Sequence, residues 1–285
     1  VPITVYNGGV TNTTQGHTMA QSIYPLETVN YSRANAKTHA MSEVPELAAY
    51  LEGGRKIYSL DLLSGHSCPF ANECLSKAVT VDYSGKRKVV DGPNTKFRCF
   101  SASQEAQYTN VYNSRSHNFR QLSEHPGNDW HMSDMLRDSM PENLGICRIH
   151  VAGDFFNASY FKAWMFIAET HPDRLFYAYT KSLKYWVDNR DNIPENMVLT
   201  ASYGGRDDHL IATEGLRSAT VVFSEAEADR LGAEIDHDDS HAARPSLRDQ
   251  SFALLLHGTQ PKGTEAATAL RELKGKGSYS RKVTK

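Results

Sequence analysis

The sequence predicts an α/β protein, a partial, open parallel β/α barrel of about six units behind an N-terminal arm. Three observations carry that expectation. From Ile146 onward, short apolar runs of strand character alternate with helical runs, the pattern of a parallel sheet with helices outside it. An earlier strand-like run, Lys56 to Leu63, leads directly into a loop that bears thiols. The units number about six, short of the eight that close a barrel.

Bulk properties narrow the classes. The chain has 285 residues, 40% of them hydrophobic, with a formal net charge of −2. A sizeable core is therefore expected, and no global attraction to nucleic acid. No run of about 18 apolar residues is present, so no membrane span is expected, and no charged-then-apolar leader is legible at the start. Four cysteines are too few for a disulfide scaffold, and the grouping of three favours reduced thiols in a cytosolic setting.

In chain order, residues 1–55 read as an arm that wraps the core or meets a second subunit. Val1 to Thr13 is β-prone but broken by Asn7-Gly8-Gly9, and Ser42 to Leu51 reads as a short helix ended by Gly53-Gly54. The main domain is expected over 56–274. Lys56 to Leu63 is its first strand. A short helix over 71–78 and a hairpin over 79–90 with a Ser84-Gly85-Lys86 turn come next. Ser101 to Leu122 reads as one helix opened by a Ser101/Gln104 capping box, and Ser133 to Ser139 as another. The expected strands are then Ile146 to Ala152, Leu175 to Thr180, Met197 to Ser202, Thr220 to Phe223 and Phe252 to Leu256. The expected helices between and after them are Ser159 to Thr170, Leu183 to Asn189, Asp207 to Thr213, Glu225 to Leu231 and Glu265 to Leu273. Residues 275–285 form a basic, frayed tail.

The thiols carry the chemistry. Five residues separate Cys68 from Cys74, and 24 more separate Cys74 from Cys99. Structural zinc favours closer pairs, whereas an iron–sulfur cluster, being larger, tolerates this looseness. Phe70, Phe97 and Phe100 offer apolar shelter. Cys147 opens the Ile146 strand, at the end opposite the ligand-bearing loops. Five residues at about 3.3 Å each set it roughly 16 Å from that end. It is expected to pack toward the helices with Ile149 and Val151, leaving three thiolates and an iron open to a substrate or to a ligand such as His66.

Arg148, His150 and Ala152 share the other face of that strand, and Tyr177, Tyr179, Thr200 and Ser202 extend a polar interior across later strands. A sheet buried on both faces would read almost wholly apolar, so these positions point to a pocket. The turns after the strands add Asp154, whose alternative is a helix cap, Lys181, whose alternative is a solvated charge, and the pair Gly204-Gly205. The run Ile235 to His241 is acidic and reads as a solvated loop rather than an ion site. Arg115, His117 and Arg120 read as a wet helix face.

Four stretches together, Gly65-His66-Ser67-Cys68-Pro69, Phe97 to Glu105, Arg148 to Phe156 and Phe176 to Ser182, resemble the bacteriophage gene-product-88-like family over roughly residues 56–260. The resemblance implies a phage origin and the cytoplasm of an infected host cell. Members carry a further Cys-rich tail. Gly258 to Leu273 holds no cysteine, which leaves one cluster here. A looser likeness joins the chain to radical S-adenosylmethionine enzymes, which set a three-Cys loop after the first strand of an incomplete barrel and a Gly-rich acidic turn, here Gly153-Asp154, after the second. The thiol spacing departs from theirs, so S-adenosylmethionine binding is implied at the level of fold alone.

The expectation is thus a [4Fe–4S] cluster on Cys68, Cys74 and Cys99, with an open iron facing a small-molecule pocket of His150, Asp154, Tyr179 and Lys181. The activity would be of redox or radical type. The alternative is a non-catalytic accessory protein, stabilised by iron–sulfur or zinc, that binds a host protein.

Overall fold

The computed structural model describes residues 27–275. The β-prone run of Val1 to Thr13 and residues 276–285 of the tail lie outside them. The chain begins with β1 (Tyr31–Arg33), two short helices α1 (Ala36–His39) and α2 (Ala48–Leu51), and β2 (Lys56–Leu60). A hairpin of β3 (Ser76–Thr80) and β4 (Arg87–Asp91) precedes α3 (Phe100–Gln107), α4 (Thr109–Ser123) and α5 (Asp129–Asp138). Alternation then sets in with β5 (Leu144–Ile149), α6 (Ala158–Thr170), β6 (Leu175–Thr180), α7 (Leu183–Asp188), β7 (Met197–Ser202) and α8 (His209–Thr213). It ends with β8 (Ser218–Val222), α9 (Glu225–Leu231), α10 (Ser240–Ala243), β9 (Phe252–Leu255) and α11 (Glu265–Glu272).

Seven strands make one sheet in the order β1-β2-β5-β6-β7-β8-β9. β1 runs antiparallel to β2 and every other neighbour pairs in parallel. The six parallel strands are the six expected units. From β5 to β9 each lies beside its sequence neighbour, so the chain winds one way, as a barrel does. No pairing joins β9 to β1 among the described residues, and the barrel stays open. No helix there is long and apolar enough to cross a membrane.

Alternation along the strands divides the core. Tyr58, Leu60, Cys147, Ile149, Phe176 and Ala178 pack outward, against side chains of α5 and α6. Ile57, Ile146, Leu175, Tyr177 and Val198 face inward. There Met41 and Leu47, from the segment before β2, and Ala242 and Ala243 of α10 fill the space. Residues 27–55 thus supply both an edge strand and interior side chains. The apolar filling leaves the carboxyl end of the inner face to polar groups.

Three local expectations are corrected. The helix expected over 71–78 is absent: residues 76–78 belong to β3, and the amides of Asn72 and Glu73 both donate to the Gly204 carbonyl, at 3.1 and 2.9 Å, instead of closing a helical turn. The helix expected over 101–122 is two, broken at Tyr108, which is extended at φ −113°, ψ 109°. Arg87 supports the break, its Nε donating to the Glu105 carbonyl at 2.9 Å and a terminal nitrogen to Thr109 Oγ1 at 2.7 Å. Nor does Ser101 cap this helix: Cys99 holds the cap position, without a side-chain cap bond.

Candidate functional site

The site is built over the carboxyl ends of the strands. The loop after β2 crosses them like a strap. Gly153, after β5, has φ +94°, and a Cβ there would lie 2.6 Å from both Leu62 Cβ and Ser67 Oγ, so only glycine lets strap and turn approach this closely. Farther along, Ala71 bridges to Gly205 and the Arg206 amide donates to Phe70 O at 2.9 Å. The amides of Gly204 and Gly205 also donate to the two Asp208 carboxylate oxygens, both at 2.8 Å. This is the role of the glycine pair after β7.

Cys68 and Cys74 sit on the strap, and Cys99 arrives from beyond the β3–β4 hairpin, its amide donating to Ser76 Oγ at 3.3 Å. All four cysteines are free. Burial raises the Cys68 thiol well above its ordinary pKa, and nearby negative charge, Asp154, Cys99 and Cys74 among it, raises it further. Burial, with Cys74 beside it, pushes Cys99 up to about 11. The three sulfurs therefore lie within reach of one another's charge, and as thiolates they would repel one another unless a cation stood between them. Amides already point at them: Gly65 N–H donates to Cys68 Sγ at 3.4 Å, and those of Ser101 and Ala102, in the first turn of α3, favour the Cys99 thiolate.

Size separates the candidates for that cation. Thiolates on one tetrahedral zinc, with bonds near 2.3 Å, lie about 3.8 Å apart. The three sulfurs do not form a set mutually within 4.8 Å among the described residues. As the side chains stand, the spread is wider than one tetrahedral zinc holds.

Below the strap a cavity of about 160 Å³ is lined by Cys74, Cys99, Arg148, Tyr179, Lys181 and Asp239, among others. The structure thus brings together two of the three thiols with Tyr179 and Lys181 of the expected set. Lys181 Nζ donates to Ser202 Oγ at 2.6 Å and to the carbonyls of Ser202 and Tyr203 at 3.1 and 2.7 Å. The guanidinium of Arg148 lies 5.0 Å over the Tyr179 ring and is paired with Asp239. A second, larger cavity of about 610 Å³ adjoins this one, sharing Phe100, Leu256 and His257.

His150 is not in the cavity. It stands one residue past β5 with φ +72°, a left-handed turn that resets the alternation. Its ring therefore goes to the helix side, with Nε2 3.1 Å from the Tyr160 hydroxyl and an edge-on contact with Phe155, while Val151 takes the inner side near Arg148. Burial lowers its pKa to about 3, leaving the ring neutral. Asp154 is also buried outside the cavity lining. Its carboxylate accepts from Thr180 Oγ1 at 2.6 Å, the Lys181 amide at 2.8 Å and the Phe155 amide at 2.8 Å. It thereby ties the turn after β5 to the turn after β6 and fixes Lys181. Cys147 is fully buried in the outward core, where burial raises its pKa. His66 Nε2 lies 3.3 Å from the Ala78 carbonyl of β3.

Charges that the sequence placed in water prove buried. Asp239 accepts from Tyr177 Oη at 3.1 Å and Tyr179 Oη at 3.5 Å, and Asp236 from Tyr179 Oη at 3.3 Å. The run 235–241 is thus the interior's counter-charge, not a solvated loop. Arg115 is no wet face either: it pairs with Glu105 at 3.1 Å and lies 3.8 Å from Asp61, on the rim of an adjoining polar cavity. The signal for the acidic run was present, since the inner face carried Arg148 and two tyrosines with no acid on the strands of the sheet.

A family model described as Gene product 88 matches residues 28–274, and the chain belongs to that phage family. No curated protein and no solved structure matches it.

Proposed function

We propose that this gene product 88 protein is a phage-encoded iron–sulfur protein of the infected cell's cytoplasm. Cys68, Cys74 and Cys99 hold a [4Fe–4S] cluster at the edge of the Arg148–Lys181 cavity, and the protein is a redox or radical-type enzyme. The single observation that carries this reading is the nearness of three half-buried thiols, spread too widely for one tetrahedral ion, two of which, Cys74 and Cys99, line a charged cavity. Such a cluster supplies one-electron chemistry and, at an iron without a protein ligand, a place for a small molecule.

The chain's own residues then have definite tasks. Lys181 and Arg148 set two positive charges against the one of Asp239, which suits an anionic or zwitterionic small molecule such as S-adenosylmethionine. Tyr179 stacks under Arg148 and holds it. Asp154 acts through Lys181, by fixing its backbone. The neutral, enclosed His150 has no part in proton transfer to the ligand. The larger adjoining cavity takes a bulkier part of the same substrate.

A second reading is an accessory protein, metal-stabilised and non-catalytic, that binds a host protein. It is favoured by Val81, Tyr83 and Val90, large side chains left exposed on the β3–β4 hairpin.

Anaerobic purification with iron, zinc and acid-labile sulfide quantified tests the main reading. Iron and sulfide in near-equal amounts are expected, and stoichiometric zinc without sulfide overturns it. Calorimetry with S-adenosylmethionine then separates the readings. Heat that disappears in Lys181→Met supports the enzyme, and no heat removes the radical-type form.

A further inference from the structure

Far from the thiols in sequence, three side chains converge that no strand-end argument anticipates. Glu27 precedes β1, His125 stands on the turn between α4 and α5, and His131 lies in the first turn of α5. Their ligand atoms all lie within 4.8 Å of one another. Both imidazoles present the same nitrogen to the same oxygen: His131 Nε2 is 2.6 Å and His125 Nε2 2.9 Å from Glu27 Oε2. The ring centroids are 4.1 Å apart with planes inclined at 53°.

Hydrogen bonding accounts for one half of this arrangement, His131 Nε2 with Glu27 Oε2, and not for the other. His125 Nε2 is shut off from solvent and makes no hydrogen bond of acceptable geometry, despite its 2.9 Å approach to the carboxylate. A buried ring nitrogen left without a hydrogen bond beside a carboxylate and a second imidazole calls for another partner. Nor is the convergence an accident of loose side chains. The Asn128 side chain accepts from the His131 amide at 3.0 Å and starts α5, and the Asn128 amide closes the turn onto His125 O at 3.2 Å. The segment bearing Glu27 is laid along α4. Asn30 exchanges two hydrogen bonds with the Asn118 side chain, at 2.7 and 2.9 Å, and His117 Nε2 meets Thr28 O at 2.8 Å. The Val29 amide adds a bond to Ser139 Oγ at 3.0 Å.

We propose that Glu27, His125 and His131 form a binding site for a divalent transition cation of the zinc type, separate from the thiol site. Two imidazoles and one carboxylate suit zinc and its first-row neighbours, whereas calcium and magnesium require mostly oxygen ligands. With three protein ligands, a water completes the tetrahedron. The ion staples the chain ahead of β1 to the α4–α5 turn and so fastens the edge strand of the sheet to the outer helices. The site and the thiol cavity share no residue.

Cobalt(II) added to the full chain, read by visible and near-ultraviolet absorption, tests the site directly. The expected result is one equivalent bound with a nitrogen–oxygen ligand-field spectrum, free of the near-ultraviolet charge-transfer band that thiolate ligation brings, and displaced by zinc. His125→Gln/His131→Gln loses that equivalent and keeps any thiolate-type signal. Glu27→Gln, a change at an exposed carboxylate ahead of the sheet, weakens cobalt binding about tenfold or more even if the double variant fails to fold. Zinc also raises the melting temperature of the parent chain and not that of Glu27→Gln. Absence of the nitrogen–oxygen spectrum in the parent chain, or its survival at full strength in Glu27→Gln, overturns the proposal and leaves a plain histidine–carboxylate cluster.

Discussion

The two faces of the sheet around β5 solve different problems with similar residues. Outward, Cys147 and His150 are buried among Tyr160, Phe155 and the helices, and each is held neutral by burial. Inward, Arg148 is paired with Asp239, and burial, with the neighbouring sulfurs adding to it, raises the Cys68 and Cys99 thiols above it. Burial is common to both faces, so burial alone does not mark a functional group. What differs is company: the inner face and the strand ends gather ionisable groups on a cavity, and the outer face isolates them in hydrocarbon.

The largest test of that difference is a pair of substitutions on one strand and its partner loop. Asp239→Ala leaves Arg148 buried without its carboxylate and removes an acceptor from Tyr177 and Tyr179. It should cost about 3–5 kcal/mol by denaturant unfolding. Cys147→Ala on the outward side should cost about 1 kcal/mol. Similar costs would break the comparison.

Next in size is the pH response of the outward face. The folded pKa of His150 is depressed to about 3, and the unfolded value is about 6.5. The unfolded chain therefore takes up the proton first, so stability is intact above about 6.5 and is lost progressively as pH falls toward 3. Between pH 7 and pH 5 the loss from this one group is about 2 kcal/mol. It should appear as the difference in pH slope between the parent chain and His150→Gln. Equal slopes would mean that the ring is reached by solvent or carries charge.

A smaller effect is expected where the start of α3 meets the turn after β9. Gly258 has φ +80°, and a Cβ there would stand 2.5 Å from Phe100 Cβ, one residue from Cys99. Gly258→Ala should cost about 1–3 kcal/mol and, on the proposed three-thiol site, lower the iron retained after purification, because the shift falls on Phe100, beside Cys99. Smallest is Tyr179→Phe, expected to cost under about 1 kcal/mol and to leave iron content unchanged while weakening small-molecule binding. A large loss of iron in this variant would mean that Tyr179 supports the thiols as well as Arg148.

Much of this was legible in the sequence because it rests on period and on turn chemistry. Strands β6 and β7 and helix α9 fall where the apolar runs begin and end, and the six-unit count follows from them. The placing of Cys147 followed from parity along one strand. Parity failed one residue past its end, at His150, because a left-handed residue resets the alternation and nothing in the local composition announces it. The helix break at Tyr108 was hidden for a similar reason, since the bond that stabilises it comes from Arg87, on another element. The burial of Asp236 and Asp239 depends on a loop folding into the open barrel, a tertiary fact that an acidic run does not reveal. Glu27, His125 and His131 are separated by about a hundred residues of chain, and only the docking of the segment before β1 along α4 unites them.

The measurement that bears most directly on the site is the iron and acid-labile sulfide carried by Cys99→Ala and Cys147→Ala, prepared side by side without oxygen. The expected result is a full complement in Cys147→Ala and almost none in Cys99→Ala. Equal loss in both, or an undiminished complement in Cys99→Ala, would contradict the three-thiol site.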